Sequence, residues 1–222
     1  MKMKSDSEIQ KEVLQELKWD TRVEETEVGV QVDKGVVTLT GNVSGYAKKI
    51  AAQEAAHRVS GVRDVANDIQ VKIPGGLVRT DTEVAQAVRR ALEWDVMIPE
   101  KRIQSTVAQG WITLEGTVDL LREREDAERT VRNLTGVHGV NNKIVVKPPL
   151  PKPTQLRERI EEALERSAQR EAKRIRVEVS NGTVTLSGSV RSWQEAEAVA
   201  GSVSHAPGVQ TVKDNLTIDP YM

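Results

Sequence analysis

The chain of 222 residues contains no cysteine and no phenylalanine, and only four tryptophans and two tyrosines. Without a thiol there is no disulfide framework, no thiol nucleophile and no thiolate metal ligand. The three histidines, His57, His138 and His205, stand apart from one another and from any acid at metal-ligand spacing, so no metal site is assigned and they read as surface residues. No phosphate loop, dinucleotide fingerprint or Gly-x-Ser-x-Gly elbow is present, which leaves no catalytic residue and no cofactor-binding residue to name. The expectation is a protein that is not an enzyme and carries no cofactor. No apolar run approaches the ~18 residues of a membrane-spanning helix, and the opening Met1-Lys2-Met3-Lys4-Ser5-Asp6 has no apolar signal core. As written the chain reads as cytoplasmic, and as periplasmic if a signal peptide has been removed ahead of it. A basic excess is missing too: the formal net charge is −1, which argues against a nucleic-acid partner.

What is there is a motif used three times. Gly-x-x-Thr-Leu-x-Gly-x-Val runs from Gly35 to Val43, from Gly110 to Val118 and from Gly182 to Val190, and Gly-Val-x-x-Val follows each copy, starting at Gly61, Gly136 and Gly208. Equivalent positions are separated by 75 and then by 72 residues throughout, so no insertion interrupts a copy. Three units of 67 residues result, 7–73, 82–148 and 154–220, joined by linkers 74–81 and 149–153. Basic against acidic residues number 9 to 11, 10 to 10 and 9 to 10 in the three units, so no unit stands out as a polyanion binder. A unit this small buries only about 60% of its unfolded surface, and each is expected to lean on its neighbours.

Periodicity gives each unit the same element order. Ser5-Asp6-Ser7-Glu8 and Thr80-Asp81-Thr82-Glu83 are capping sequences. The helices after them place Ile9, Val13 and Leu17, then Val84, Val88 and Leu92, on one face, with Leu156, Ile160 and Leu164 matching in the third unit. Alternation at Val28, Val30, Val32, at Ile103, Ser105, Val107 and at Ile175, Val177, Val179 predicts a first strand. A three-residue loop ending in Gly35, Gly110 or Gly182 leads into a second strand with Val37 and Leu39, Ile112 and Leu114, or Val184 and Leu186 inward. A second helix carries Ala52, Ala56 and Val59, or Ala127, Val131 and Leu134, or Val199, Val203 and Ala206, and the glycine of Gly-Val-x-x-Val ends it. The last strand returns parallel to the second through this crossover. The predicted fold class is α+β: three tandem α-β-β-α-β modules, each a three-stranded mixed sheet with two helices packed on one face. The outward face, with Thr38, Thr113 and Thr185, meets solvent or a neighbouring unit.

Some residues stand out against this frame. Asn67, Asn142 and Asp214 fall on the inward phase of the last strand, where a polar group needs a hydrogen-bond partner. Trp19 and Trp94 follow the first helices and are expected to pack over the start of the sheet, as Trp193 is expected to pack at the start of its second helix. Trp111 sits on the outward phase and is a candidate interface anchor. Arg166, Arg170, Lys173, Arg174 and Arg176, with only Glu171 among them, form a basic segment that suits an anionic headgroup surface, each charge contributing ~1 kcal/mol there.

The three motif copies and the α-β-β-α-β order resemble the BON domain, a module named for an osmotically inducible periplasmic protein and for nodulation proteins that carry it. The resemblance implies a small mixed-sheet module that binds phospholipid surfaces or partner proteins under osmotic or envelope stress. It brings no catalytic residues. Its motif glycines, here Gly35, Gly41, Gly61, Gly110, Gly116, Gly136, Gly182, Gly188 and Gly208, are implied to be backbone-geometry positions. A non-enzymatic protein making weak multivalent contacts with lipid or protein follows, since linked weak sites gain avidity, with Trp111 and the basic segment as its contact. The alternative is a small-ion (potassium-like) or small-ligand sensor whose modules reorient, in line with a cytosolic relative that works in potassium sensing. Oligomeric state is left open.

Overall fold

The computed structural model describes residues 4–147, 156–162 and 175–219. In the first unit, helix α1 (Asp6–Trp19) leads to strands β1 (Val28–Asp33) and β2 (Val36–Val43), helix α2 (Tyr46–His57) and a last strand broken into β3 (Asp64–Asn67) and β4 (Gln70–Val71). The second repeats this as α3 (Asp81–Trp94), β5 (Ile103–Ala108), β6 (Trp111–Val118), α4 (Leu121–Arg132) and β7 (Gly139–Val146). The third has α5, helical at the described residues 156–162, then β8 (Ile175–Ser180), β9 (Thr183–Val190), α6 (Trp193–Ser204) and β10 (Thr211–Ile218). These are three α+β modules.

In every sheet the middle strand is the motif strand, β2, β6 or β9, antiparallel to the strand before it and parallel to the one after the crossover helix. A strand buried on one face alternates inward and outward residues. Val37, Leu39, Ile112, Leu114, Val184 and Leu186 are fully buried, as are the α1 stripe Ile9, Val13, Leu17 and its α3 counterpart Val84, Val88, Leu92. Leu156 and Ile160 match them, while Leu164 and the proline-rich linker 149–153 lie outside the described residues. Both capping boxes form: Ser5 and Thr80 accept from the amides of Glu8 and Glu83, whose carboxylates reach back.

The hairpin loops have two residues rather than three. Asp33 pairs with Val36, Ala108 with Trp111 and Ser180 with Thr183. Both loop residues hold positive φ, 51° and 79° at Lys34 and Gly35, the geometry whose twist matches that of the flanking strands. All nine motif glycines have positive φ. At Gly41 and Gly116 sterics decide as well, because a side chain there would run into the carbonyl oxygen of Glu27 or Arg102, the residue just before the neighbouring strand.

A clasp between helix and turn adds to the capping signals. The first helical residue of units 1 and 2 reaches the turn: Asp6 accepts from the Lys34 and Gly35 amides at 2.8 and 2.9 Å, and Asp81 from those of Gln109 and Gly110, both at 2.8 Å. The repeat register puts Pro153 at this position in the third unit. An aspartate beyond the need for capping in two copies was the signal available.

Candidate functional site

The units touch through their second helices, and the contacts repeat with the motif. Tyr46, Leu121 and Trp193 are equivalent first residues of α2, α4 and α6, and His57, Arg132 and Ser204 are equivalent residues at the other end. Tyr46 packs against the core of unit 2, where Glu128 and Arg132 bear on its hydroxyl; burial is the main cause that pushes its pKa up. Arg132 also donates to Glu54 of α2 at 3.1 Å. Leu121 and Ser204 are buried, and the apolar residues of units 2 and 3 merge into one cluster. Trp193 packs on the core of unit 1 and stacks on His57, with ring centroids 4.5 Å apart and planes at 17°. The seams therefore run from unit 1 to 2, from 2 to 3 and from 3 back to 1, the same head-to-tail contact closing on itself. His57 is thus no plain surface residue; burial against the indole is the main cause that holds its pKa below the ordinary value.

Trp19 and Trp94 depart from expectation. They are 76% and 86% exposed and do not pack on the sheet. The turn after each helix explains why. Asp95 accepts from the Met97 amide through Oδ1 at 3.0 Å and from the Thr130 hydroxyl through Oδ2 at 3.3 Å, and Ile98 plugs the core. Asp20 does the same for the Arg22 amide at 3.1 Å, and Val23 is the plug. With Asp and plug fixed, the helix end and the two residues between point outward. In unit 1 those two are Thr21 and Arg22; in unit 2 they are Val96 and Met97, the former 94% exposed. The fold does not require the apolar pair, since an equivalent turn forms without it. Arg90, one turn before Trp94, and Lys101 after the loop are exposed cations.

Unit 1 stabilises its turn through charge instead. Arg22 foremost, with Arg58, holds the Asp20 carboxyl well below the usual carboxylate range, and Arg22 also meets Glu54 at 2.9 Å.

The remaining candidates separate. Trp111 is 48% exposed on the outward face of β6, lying over Gly139, its partner on β7. Arg176 is exposed on β8, while Arg166, Arg170, Lys173 and Arg174 lie outside the described residues. Asn67 donates to the Lys49 carbonyl and to Gln53, and accepts from the Ile69 amide; Asn142 donates to the Arg124 carbonyl at 2.8 Å and to Glu128, and accepts from Ile144. These two asparagines tie the last strand to the crossover helix. Asp214 cannot donate and is exposed; among the described residues it accepts from the Leu216 amide at 2.9 Å. Among the described residues no helix is long and apolar enough to cross a membrane, and no three His, Asp or Glu converge on a metal site.

The fold and the motif glycines define a class, a tandem array of small mixed-sheet modules. The profile of the BON domain matches residues 5–73, 80–148 and 153–220, and the chain belongs to that family. It is similar to Osmotically-inducible protein Y of Escherichia coli (strain K12), 29% identical over 146 residues that cover 64% of this chain and 73% of that protein. Among solved structures, two of CdsD, described as a structural protein of the Type III secretion system of Chlamydia trachomatis, are 15% identical. They cover 94% and 95% of this chain and 91% and 96% of theirs, at TM-scores of 0.27 and 0.28. Scores of that size transfer nothing about module arrangement.

Proposed function

We propose that this chain is a non-enzymatic binding protein of the osmotic or envelope stress response that lies on anionic phospholipid surfaces through unit 2. The carrying observation is the projecting set Trp94, Val96 and Met97, held out by a turn whose counterpart in unit 1 displays Thr21 and Arg22. Tryptophan beside aliphatic side chains and cations suits the headgroup boundary, where the ring is amphipathic and Arg90 and Lys101 meet lipid phosphates. Trp19 with Lys18 is a second, weaker contact, and the basic residues Arg166, Arg170, Lys173 and Arg174 add charge that suits an anionic surface. Three linked contacts give avidity that each lacks alone. The similarity to an osmotically inducible protein supports the physiological setting. A second reading, a small-ligand sensor whose units reorient, is favoured by an open cleft at the third seam.

Co-sedimentation with anionic and neutral vesicles at low and high salt tests the lipid reading. The wild-type chain is expected to pellet with anionic vesicles, and Trp94→Ala with Val96→Thr and Met97→Thr to weaken this at least tenfold with the fold intact. Arg170→Gln with Lys173→Gln and Arg174→Gln is expected to reduce the salt-sensitive part, leaving what Arg90 and Lys101 contribute. Absence of pelleting, or pelleting untouched by the loop variant, overturns it.

A further inference from the structure

The seam between units 3 and 1 is the one at which no linker joins the two units directly, and it is incompletely packed. A cleft of about 600 Å³ opens there, within the range of small-molecule sites, which favour domain interfaces. Arg63 of unit 1 lines one side; Trp193, Ala196, Asp214, Leu216 and Ile218 of unit 3 line the other. The stem of Arg63 packs over Gly35, which anchors the residue. Arg63 and Asp214 form no ion pair with each other or with any other described residue. Opposite charges thus border one cavity without neutralising each other.

The repeat shows that this pairing is special to the seam. At the place of Asp214, Asn67 and Asn142 serve as internal ties to a helix carbonyl. Asp214 has lost the donor that such a tie needs, and Ala196 and Ala200 stand where unit 2 has Arg124 and Glu128, which frees the inner end of the cleft. Its described lining carries one positive charge, Arg63, and one negative, Asp214. An anion meets Asp214 unfavourably and a cation meets Arg63 unfavourably; a molecule carrying both charges satisfies both, and Ala196, Leu216 and Ile218 receive an aliphatic body.

We propose that the cleft between units 1 and 3 binds a small zwitterion with an aliphatic side chain, of the free amino-acid class, its carboxylate on Arg63 and its ammonium on Asp214. Such a ligand bridges the open seam between units 3 and 1, apart from the Trp94, Val96 and Met97 loop of unit 2 that carries the lipid proposal.

Amide NMR of the full chain during titration with L-valine tests this, with 3-methylbutanoate, which lacks the ammonium, and 2-methylpropylamine, which lacks the carboxylate. Saturable shifts are expected at Arg63 in unit 1 and at Leu216 to Ile218 in unit 3, with each analogue binding at least tenfold more weakly. Arg63→Gln and Asp214→Asn, both at exposed positions and the latter keeping the acceptor for the Leu216 amide, are each expected to cost tenfold or more. Absence of saturable shifts with valine overturns the proposal. So does an analogue that binds as well as valine, a comparison made on the unaltered chain.

Discussion

Replacing Gly116 by alanine is expected to unfold or nearly unfold unit 2, whereas the same replacement at Gly201 is expected to stabilise unit 3. Gly116 has φ 143° and pairs with Ile103 across the antiparallel ladder. An added methyl group there meets the Arg102 carbonyl and the Ile103 Cα, all backbone, so no side chain can swing away. Keeping the dihedral costs about 1–3 kcal/mol. Relieving the clash requires β5 to move off β6, which loosens the buried Ile103 and Leu114 and brings the total to about 3–5 kcal/mol. A unit of 67 residues is worth about 3–10 kcal/mol in all. Gly201 lies inside α6 with open space around it, and alanine there gains about 0.5–1 kcal/mol in helix propensity. Urea unfolding followed by circular dichroism and tryptophan emission reads both. With a slope of about 1–3 kcal/mol/M the first variant lowers the midpoint by more than ~1 M and the second raises it by a few tenths. A Gly116→Ala protein with a wild-type midpoint would refute the steric argument.

Two further outcomes are expected. Asn142→Asp removes the donor to the Arg124 carbonyl and sets a second carboxylate beside Glu128, a loss of about 1–3 kcal/mol at pH 7. Because the like charge favours the protonated form in the folded state and so raises its pKa, the deficit relative to wild type shrinks as pH falls from that raised value down to the unfolded Asp value of about 3.9 and is constant below it; a pH-independent deficit between 7 and 4 counts against it. At His57 the folded pKa lies below the unfolded 6.5, so the unfolded chain binds the proton first. Stability from this group is full above pH 6.5 and is lost as pH falls toward the folded value, with a slope of at most about 1.36 kcal/mol per pH unit. Glu54, Asp64 and Glu197 oppose the shift. Unfolding of wild type and His57→Gln between pH 7.5 and 5 checks this, and equal slopes would sink it.

The array, the element order and the inward residues were legible in the sequence because each rests on local rules. Period 3.6 marked Ile9, Val13 and Leu17, period 2 marked Val37 and Leu39, and the need for positive φ marked the glycines. The asparagine ties followed from the rule that inward polar groups find partners. What failed was the fate of residues whose surroundings come from far along the chain. Trp19 and Trp94 stand at matching places after the first helices, which predicts packing over the sheet; their turns, fixed by Asp20 and Asp95, point them outward instead. His57 looked like solvent because its equivalents are Arg132 and Ser204, yet those too are seam residues. Their shared property is a position in the ring, which no residue type encodes.

By itself the sequence determined the repeated α-β-β-α-β modules, their cores and the glycine geometry, since hydrophobic period and backbone dihedrals act within a few residues or one sheet. Only the tertiary structure decided that the second helices meet head to tail, that Trp193 reaches back to His57, and that Arg63 and Asp214, 151 positions apart, border one cleft. Those contacts arise from surfaces that become neighbours after three units have folded, and their energies depend on distances that spacing along a chain does not carry.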